Sequence, residues 1–298
     1  MRGEQRDYFE SNLEACNLCP RKCGVNRRAG QLGACRAGAQ PKVASHCIHV
    51  GEEPPISGSS GSGTIFFSHC TMACVYCQNY PISQLGHGNL VEVVDLAQMM
   101  LELQGQGAHN INLVTATHFL PHIVEAIDLA RARGLKLPIV YNDSGYELPE
   151  TIRMLNGIVQ VYLADMRYAS PQYAARYSGA QDYPQMNRLA IGEMLASVGH
   201  LKCRGCLAES GLVIRHLVLP SLVSETAKIL EYISSEISKS TAVSLMSQYF
   251  PANRAQLYPE INRKITRSEH DAAVALLDRY GLCHGWIQDY GAFGRPVA

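Results

Sequence analysis

The chain has 298 residues, 47% of them hydrophobic and 17% charged, which supports a sizeable core and excludes bulk disorder. Lys plus Arg and Asp plus Glu both number 26, so the charge balance gives no reason to expect a nucleic-acid or membrane partner. The opening MRGEQRDYFESN lacks an apolar signal core and no apolar run approaches bilayer-spanning length, so the expectation is a soluble, cytoplasmic protein.

In chain order, residues 1–60 read as a loop-rich, cysteine-containing N-terminal extension. The whole chain holds eleven cysteines, an odd number without an export signal, which points to reduced thiols serving as metal ligands rather than to disulfides. The stretch CNLCPRKCGVNRRAGQLGAC places Cys16, Cys19, Cys23 and Cys35 as C-x2-C-x3-C-x11-C, a strong metal signal. Tetrahedral zinc would staple a segment too small to hold its own core; a second iron–sulfur cluster relaying electrons is the competing reading. Spacing does not separate the two. Arg21, Lys22, Arg27, Arg28 and Arg36 surround the group with little aromatic interleaving. That favours a solvated basic face, or a docking patch for a reductase or protein substrate, over a nucleic-acid ribbon. The segment EEPPISGSSGSG reads as a connector, and its glycines match no phosphate-binding fingerprint. Glu52 and Glu53 within it take a structural or substrate-facing role.

From residue 61 to 298 short β-rich runs alternate with amphipathic stretches. Strands are expected near 64–68, 111–115, 138–143, 159–165, 211–219 and 241–248, with helices near 91–104, 122–134, 183–199, 225–237 and 268–281. The second of these helices closes on Arg-Ala-Arg-Gly, a favourable helix end. Serial β-α units imply a parallel sheet with right-handed crossovers, and six are fewer than a closed eight-fold barrel needs. The fold class expected is therefore α/β, a partial (β/α)6 barrel, with its active site at the carboxyl ends of the strands. Trp286 and the tail DYGAFGRPVA are expected to cover one end of it.

One of those strand ends carries HCTMACVYCQN. Cys70, Cys74 and Cys77 stand as C-x3-C-x2-C, three soft ligands and no fourth. Thiolates select zinc or iron–sulfur clusters, and three ligands leave a position open for chemistry. The plainer alternative is a zinc site that borrows His69 or another cysteine.

The triplet, with Tyr76 before its last cysteine, resembles the signature of radical S-adenosylmethionine enzymes. GEEPPISG, GSGTIFFSHC, YCQNYPIS, HNINLVTATHFLP, PIVYNDSGYE and RHLVLP extend the resemblance, over nearly the whole chain, to the pyruvate formate-lyase-activating-enzyme-like subfamily. The resemblance implies a [4Fe–4S] cluster on Cys70, Cys74 and Cys77, whose free iron chelates S-adenosylmethionine. It further implies reductive cleavage to a 5′-deoxyadenosyl radical that abstracts hydrogen. It places Tyr76 against the adenine, and Thr115 and Thr117 where relatives carry a Gly-Gly-Glu segment. It places Asn142, Asp143 and Ser144 by the ribose and methionine groups, Asp165 and Arg167 at an Asp-Leu-Lys-like segment, and His216 at a cofactor-contact position. The partners implied are a flavodoxin- or ferredoxin-type electron donor and a glycyl radical enzyme or other protein substrate. The rival reading is a non-catalytic iron–sulfur electron-transfer or metal-binding protein. Cys203 and Cys206 in KCRGC read as adventitious loop thiols, and Cys47 and Cys283 as isolated structural ones.

Overall fold

The computed structural model describes residues 3–291. Ten strands form its sheet: β1 (Lys42–His49), β2 (Ser62–Phe67), β3 (Asn89–Leu90), β4 (Ile111–Val114), β5 (Ile139–Asp143), β6 (Val161–Asp165), β7 (Lys202–Arg204), β8 (Leu207–Leu217), β9 (Ala242–Met246) and β10 (Gly285–Ile287). The strands β2, β4, β5, β6, β8 and β9 pair in that order, all parallel, and are the six expected. Strands β5 and β6 are buried along their whole length, as a parallel sheet covered on both faces requires. β10 adds a short parallel strand at one edge, while β1 and β3 are antiparallel at the other. The two edges do not pair, so the sheet is a partly open barrel.

The α-helices are α1 (Gly3–Glu14), α2 (Pro54–Ser57), α3 (Tyr80–Ser83), α4 (Val93–Gly105), α5 (Leu120–Ala132), α6 (Pro149–Met154), α7 (Pro171–Ser178), α8 (Tyr183–Val198), α9 (Val223–Tyr232) and α10 (Arg267–Tyr280). Local chemistry sets the ends of α10. Thr266 Oγ1 accepts from the Glu269 N–H at 3.2 Å, Glu269 accepts from the Thr266 N–H at 2.7 Å, and Gly281 adopts φ 67° beyond the last turn. Among the described residues no helix is long and apolar enough to cross a membrane.

The first sixty residues depart from the loop-rich expectation at three places. α1 is a helix docked on the barrel's flank: Gln5 Nε2 donates to Met154 O at 2.8 Å, and the Tyr8 hydroxyl meets Thr151 Oγ1 at 2.7 Å. β1 is a strand of the sheet, paired residue for residue with β2 from Cys47↔Thr64 to His49↔Ser62. The EEPPISG stretch is no solvent connector either. Its single turn α2 drives Ile56, fully buried, against Val140, Val161, Leu163, Val213 and Ala242, and Asn110 Nδ2 clasps the Ile56 carbonyl at 2.7 Å. Burying that side chain is worth about 2–3 kcal/mol. Trp286 packs partly against the same layer; residues 292–298 of the tail lie outside the described residues.

Side chains alternate along each strand, so the barrel interior is layered. Val140, Val161 and Val213 make the apolar floor; two residues on, Asn142 and Arg215 stand toward the carboxyl ends.

Candidate active site at the barrel mouth

The cysteine triplet occupies the loop that leaves β2. Ser68 anchors its start through Oγ to the His87 carbonyl at 2.6 Å, and His69 turns the chain at φ 72°. That backbone conformation is costly for a residue with a Cβ and is tolerated where surrounding contacts enforce it. The loop is then locked from outside: the Val75 N–H donates to Tyr177 O and the Arg254 N–H to Val75 O, both at 2.8 Å. Gln84 Nε2 and Asn253 Nδ2 both reach the Cys74 carbonyl.

Each sulfur has its own donor. Cys70 Sγ accepts from the Met72 N–H at 3.3 Å, and Cys77 Sγ meets the Ser83 hydroxyl at 3.2 Å. Cys74 Sγ takes Arg167 Nη1 at 2.9 Å and Ser178 Oγ at 3.0 Å. Donors on sulfur stabilise thiolates and set the potential of whatever they ligate. Among the described residues no three His, Cys, Asp or Glu side chains converge on one metal-ion position. Three thiols, each with its own donor, suit a cluster that presents a different iron to each sulfur.

Inside the mouth sits a buried polar network. Arg215 Nε bonds Asp165 Oδ1 at 2.9 Å, its Nη2 bonds Asn142 Oδ1 at 2.6 Å, and its Nη1 lies 3.6 Å from Glu52 Oε2. Asp165 also holds Arg167 through Nη2 at 2.6 Å, and Asn112 Nδ2 reaches Glu52 Oε1 at 3.1 Å. Burial pushes the Asp165 carboxyl up, but the two guanidiniums more than offset this and hold it below the usual carboxylate range. Arg167 therefore links Asp165 to the sulfur of Cys74 in one step.

The expected site residues divide by the face of their strands. Asn142, Asp165 and Arg167 belong to the network. Asp143 faces away from it: its Oδ1 takes the Gly145 N–H, its Oδ2 has no partner among the described residues, and burial, with Asp165 nearby, raises its carboxyl above the usual range. Ser144 offers its carbonyl to the Tyr183 hydroxyl at 2.8 Å. Thr115 follows β4 at φ 59°, unusual for a β-branched residue, and its N–H donates to the Asn142 carbonyl. Thr117 turns outward to the buried Glu147 and the Tyr141 hydroxyl. His216 also turns outward: Nδ1 meets Met166 O at 2.7 Å and Nε2 meets Thr226 Oγ1 at 2.9 Å, against α9. Tyr76 is buried, its hydroxyl 2.6 Å from that of Tyr168 and its ring edge-on to Tyr249. Cys203, Cys206, Cys47 and Cys283 are all exposed and away from the mouth.

Cys16, Cys19, Cys23 and Cys35 are brought together, lining one cup that Thr71, Thr117 and His118 also wall. Arg215 and Asn112 were not singled out from the sequence; Glu52 was read only as structural or substrate-facing, and Arg27 only as part of a basic face. The available signal was Arg215's place in RHLVLP, one residue before His216, and Glu52's in GEEPPISG.

Comparison with known proteins finds likeness in part of the sequence and in the fold. Residues 64–164 match the family model of the Radical SAM superfamily. An uncharacterized protein of Methanocaldococcus jannaschii is 29% identical over 275 residues, covering 90% of this chain and 75% of that one. Among solved structures, HydG, a maturase of the [FeFe]-hydrogenase, superposes with a TM-score of 0.51 at 11% identity, over 74% of this chain and 48% of that one. HydG from Carboxydothermus hydrogenoformans gives 0.51 at 16% identity, over 74% and 50%. The chain thus spans about half the length of these structures, and at such identities the likeness is one of fold.

Proposed function

We propose that this chain, which carries a Radical SAM superfamily domain at residues 64–164, cleaves S-adenosylmethionine reductively and abstracts hydrogen from a backbone glycine of a partner protein. The observation that carries the reading is the triplet loop, with a guanidinium on Cys74 Sγ, standing over the buried polar network at the strand ends. Cys70, Cys74 and Cys77 would hold a [4Fe–4S] cluster, which supplies one electron to bound S-adenosylmethionine and so releases methionine and a 5′-deoxyadenosyl radical.

The chain's own residues supply the rest. Arg167 balances the charge of the Cys74 thiolate and is oriented by Asp165. Glu52 offers a carboxylate for the cofactor's ammonium group, and Arg215 a positive charge toward its carboxylate. Asn142 and the carbonyls near Thr115 and Ser144 provide acceptors for ribose hydroxyls. Tyr76, Tyr168 and Tyr249, all buried, keep water from the reacting atoms. Zinc or a second cluster at the N-terminal cysteines, a flavodoxin- or ferredoxin-type donor and a cytoplasmic setting complete the reading.

The test is incubation of anaerobically reconstituted, reduced protein with S-adenosylmethionine, following methionine and 5′-deoxyadenosine. A partner deuterated at glycine should pass its label into 5′-deoxyadenosine. Absence of cleavage removes the reading altogether; cleavage without deuterium transfer removes the glycine as substrate.

A further inference from the structure

The void beneath the N-terminal segment is built as a binding cup. Cys16, Cys19, Cys23 and Cys35 contribute four thiols to its wall. Gly33 closes one side so tightly that a Cβ there would lie 2.8 Å from Cys23 Sγ, and the Ala34 N–H already donates to that sulfur at 3.3 Å. Arg27, only 2% exposed, donates Nη2 to Cys16 Sγ at 2.7 Å and Nη1 to the His118 carbonyl. Among the described residues it has no carboxylate partner. A guanidinium is buried in this way only where a countercharge is close. The group held by the four sulfurs is therefore net anionic, as a centre ligated by four thiolates is.

Two observations separate a cluster from zinc. A zinc ion bonds sulfur at about 2.3 Å and draws four thiolates onto one point; among the described residues no three such ligands converge. Instead the four sulfurs line one shared cup. The cup also shares its wall with the catalytic loop. Thr71, the neighbour of Cys70, lines it and accepts from Arg21 Nε at 3.1 Å, while His118 lines it and binds the Ser68 carbonyl at 2.7 Å. Adjacent Cα atoms are about 3.8 Å apart, so a wall residue of the cup directly neighbours a ligand of the triplet.

We propose that Cys16, Cys19, Cys23 and Cys35 hold a second [4Fe–4S] cluster that relays electrons to the one at Cys70, Cys74 and Cys77. A low-potential one-electron protein donor of the reduced flavodoxin or ferredoxin type reduces it from the 2+ to the 1+ state. It returns to 2+ as it passes that electron across the Thr71 wall, reducing the triplet's cluster from 2+ to 1+. No atoms move. The relay rests on the function proposed above; the binding of the cluster does not.

Metal and acid-labile sulfide are counted on anaerobically prepared wild-type protein, with Mössbauer spectra. The expected result is about eight irons per chain, as two four-iron clusters, and no zinc. About four irons with one zinc, or about four irons alone, overturns the proposal. The variant Cys70→Ala/Cys74→Ala/Cys77→Ala should keep about four irons and a paramagnetic signal on reduction that S-adenosylmethionine leaves unchanged. The variant Cys16→Ser/Cys19→Ser should keep a triplet signal that S-adenosylmethionine shifts, reducible by dithionite but no longer by reduced flavodoxin. Unimpaired reduction by flavodoxin in that variant overturns the relay. A wild type with eight irons whose signal ignores S-adenosylmethionine instead refutes the proposed function and leaves the second cluster standing.

Discussion

Replacing Arg215 by Met removes a charge while keeping most of the side chain's volume, and tests the buried network directly. Arg215 is 15% exposed and compensates two carboxylates that are 8% and 10% exposed, Glu52 and Asp165. Breaking a buried pair by deleting one partner costs about 3–5 kcal/mol, because the other charge stays behind. Asp165 keeps Arg167 at 2.6 Å, whereas Glu52 keeps the Asn112 amide at 3.1 Å, the Asn142 amide at 3.5 Å and His49 at 3.3 Å. The cost should thus fall near the lower bound, about 3 kcal/mol, or roughly 1 M in the urea midpoint at an m-value near 3 kcal/mol/M. The acid limb gives an independent check. Asp165 is held below its unfolded pKa, so its contribution is present above that pKa and is lost as pH falls through the folded value. Removing Arg215 raises the folded value, so acid unfolding should begin at higher pH. Adding Glu52→Gln to the same chain should recover about 1–2 kcal/mol, since the stranded charge is gone. Urea melts at several pH values decide the matter. A loss under about 1 kcal/mol for Arg215→Met, or no recovery in the double variant, would show that Arg215 and Glu52 are not coupled.

His216→Ala should cost about 2–4 kcal/mol, stranding Thr226 and leaving a cavity, without changing the affinity for S-adenosylmethionine measured by calorimetry. Weakened binding with intact stability would return His216 to the cofactor. Glu52→Gln alone should weaken that affinity about 10–100-fold, the value of a charge-assisted hydrogen bond to an ammonium group; an unchanged Kd removes Glu52 from the cofactor. Gly145→Ala meets both a backbone at φ 69° and a Cβ only 2.2 Å from the Asp165 carbonyl, and should cost more than about 3 kcal/mol in urea melts. Gly157→Ala, at φ 81° in open space, should cost only about 1 kcal/mol; equal losses would mean that the close approach at Gly145 is immaterial. Cys74→Ala should abolish 5′-deoxyadenosine formation in the cleavage assay, and any residual turnover above background would detach the triplet from the chemistry.

The six parallel strands were legible because each is a short apolar run bounded by polar strand ends, a pattern that parallel sheets impose locally. The triplet was legible for the same reason: its three ligands lie within eight residues of chain. What local pattern does not carry is which of two neighbouring residues faces inward. In RHLVLP a shift of one position exchanges Arg215 for His216, and both are plausible partners for an anionic or polar group. Only the register of β8 against β6, with Arg215 opposite Asp165, assigns the arginine to the mouth. The N-terminal elements failed differently. α1 and β1 are ordered by long-range contacts, Gln5 to Met154 and Cys47 to Thr64, rather than by a strong pattern of their own.

The same reasoning bears on the carboxylate missing from Thr115–His118. In the activases that the sequence resembles it stands in the segment after the second barrel strand, and here that segment turns Thr117 and His118 away from the mouth, toward Glu147 and the N-terminal cup. A carboxylate nonetheless reaches the interior. Glu52 enters from the plug that precedes the first barrel strand, bonded to Asn112 sixty positions away and beside Arg215. A buried charge needs only a partner and an aperture, and the chain can supply it from any segment that the fold brings there. The stretch Thr115–His118 lacks a carboxylate, whereas the mouth has one, and the segment that supplies it also seals the barrel floor through Ile56.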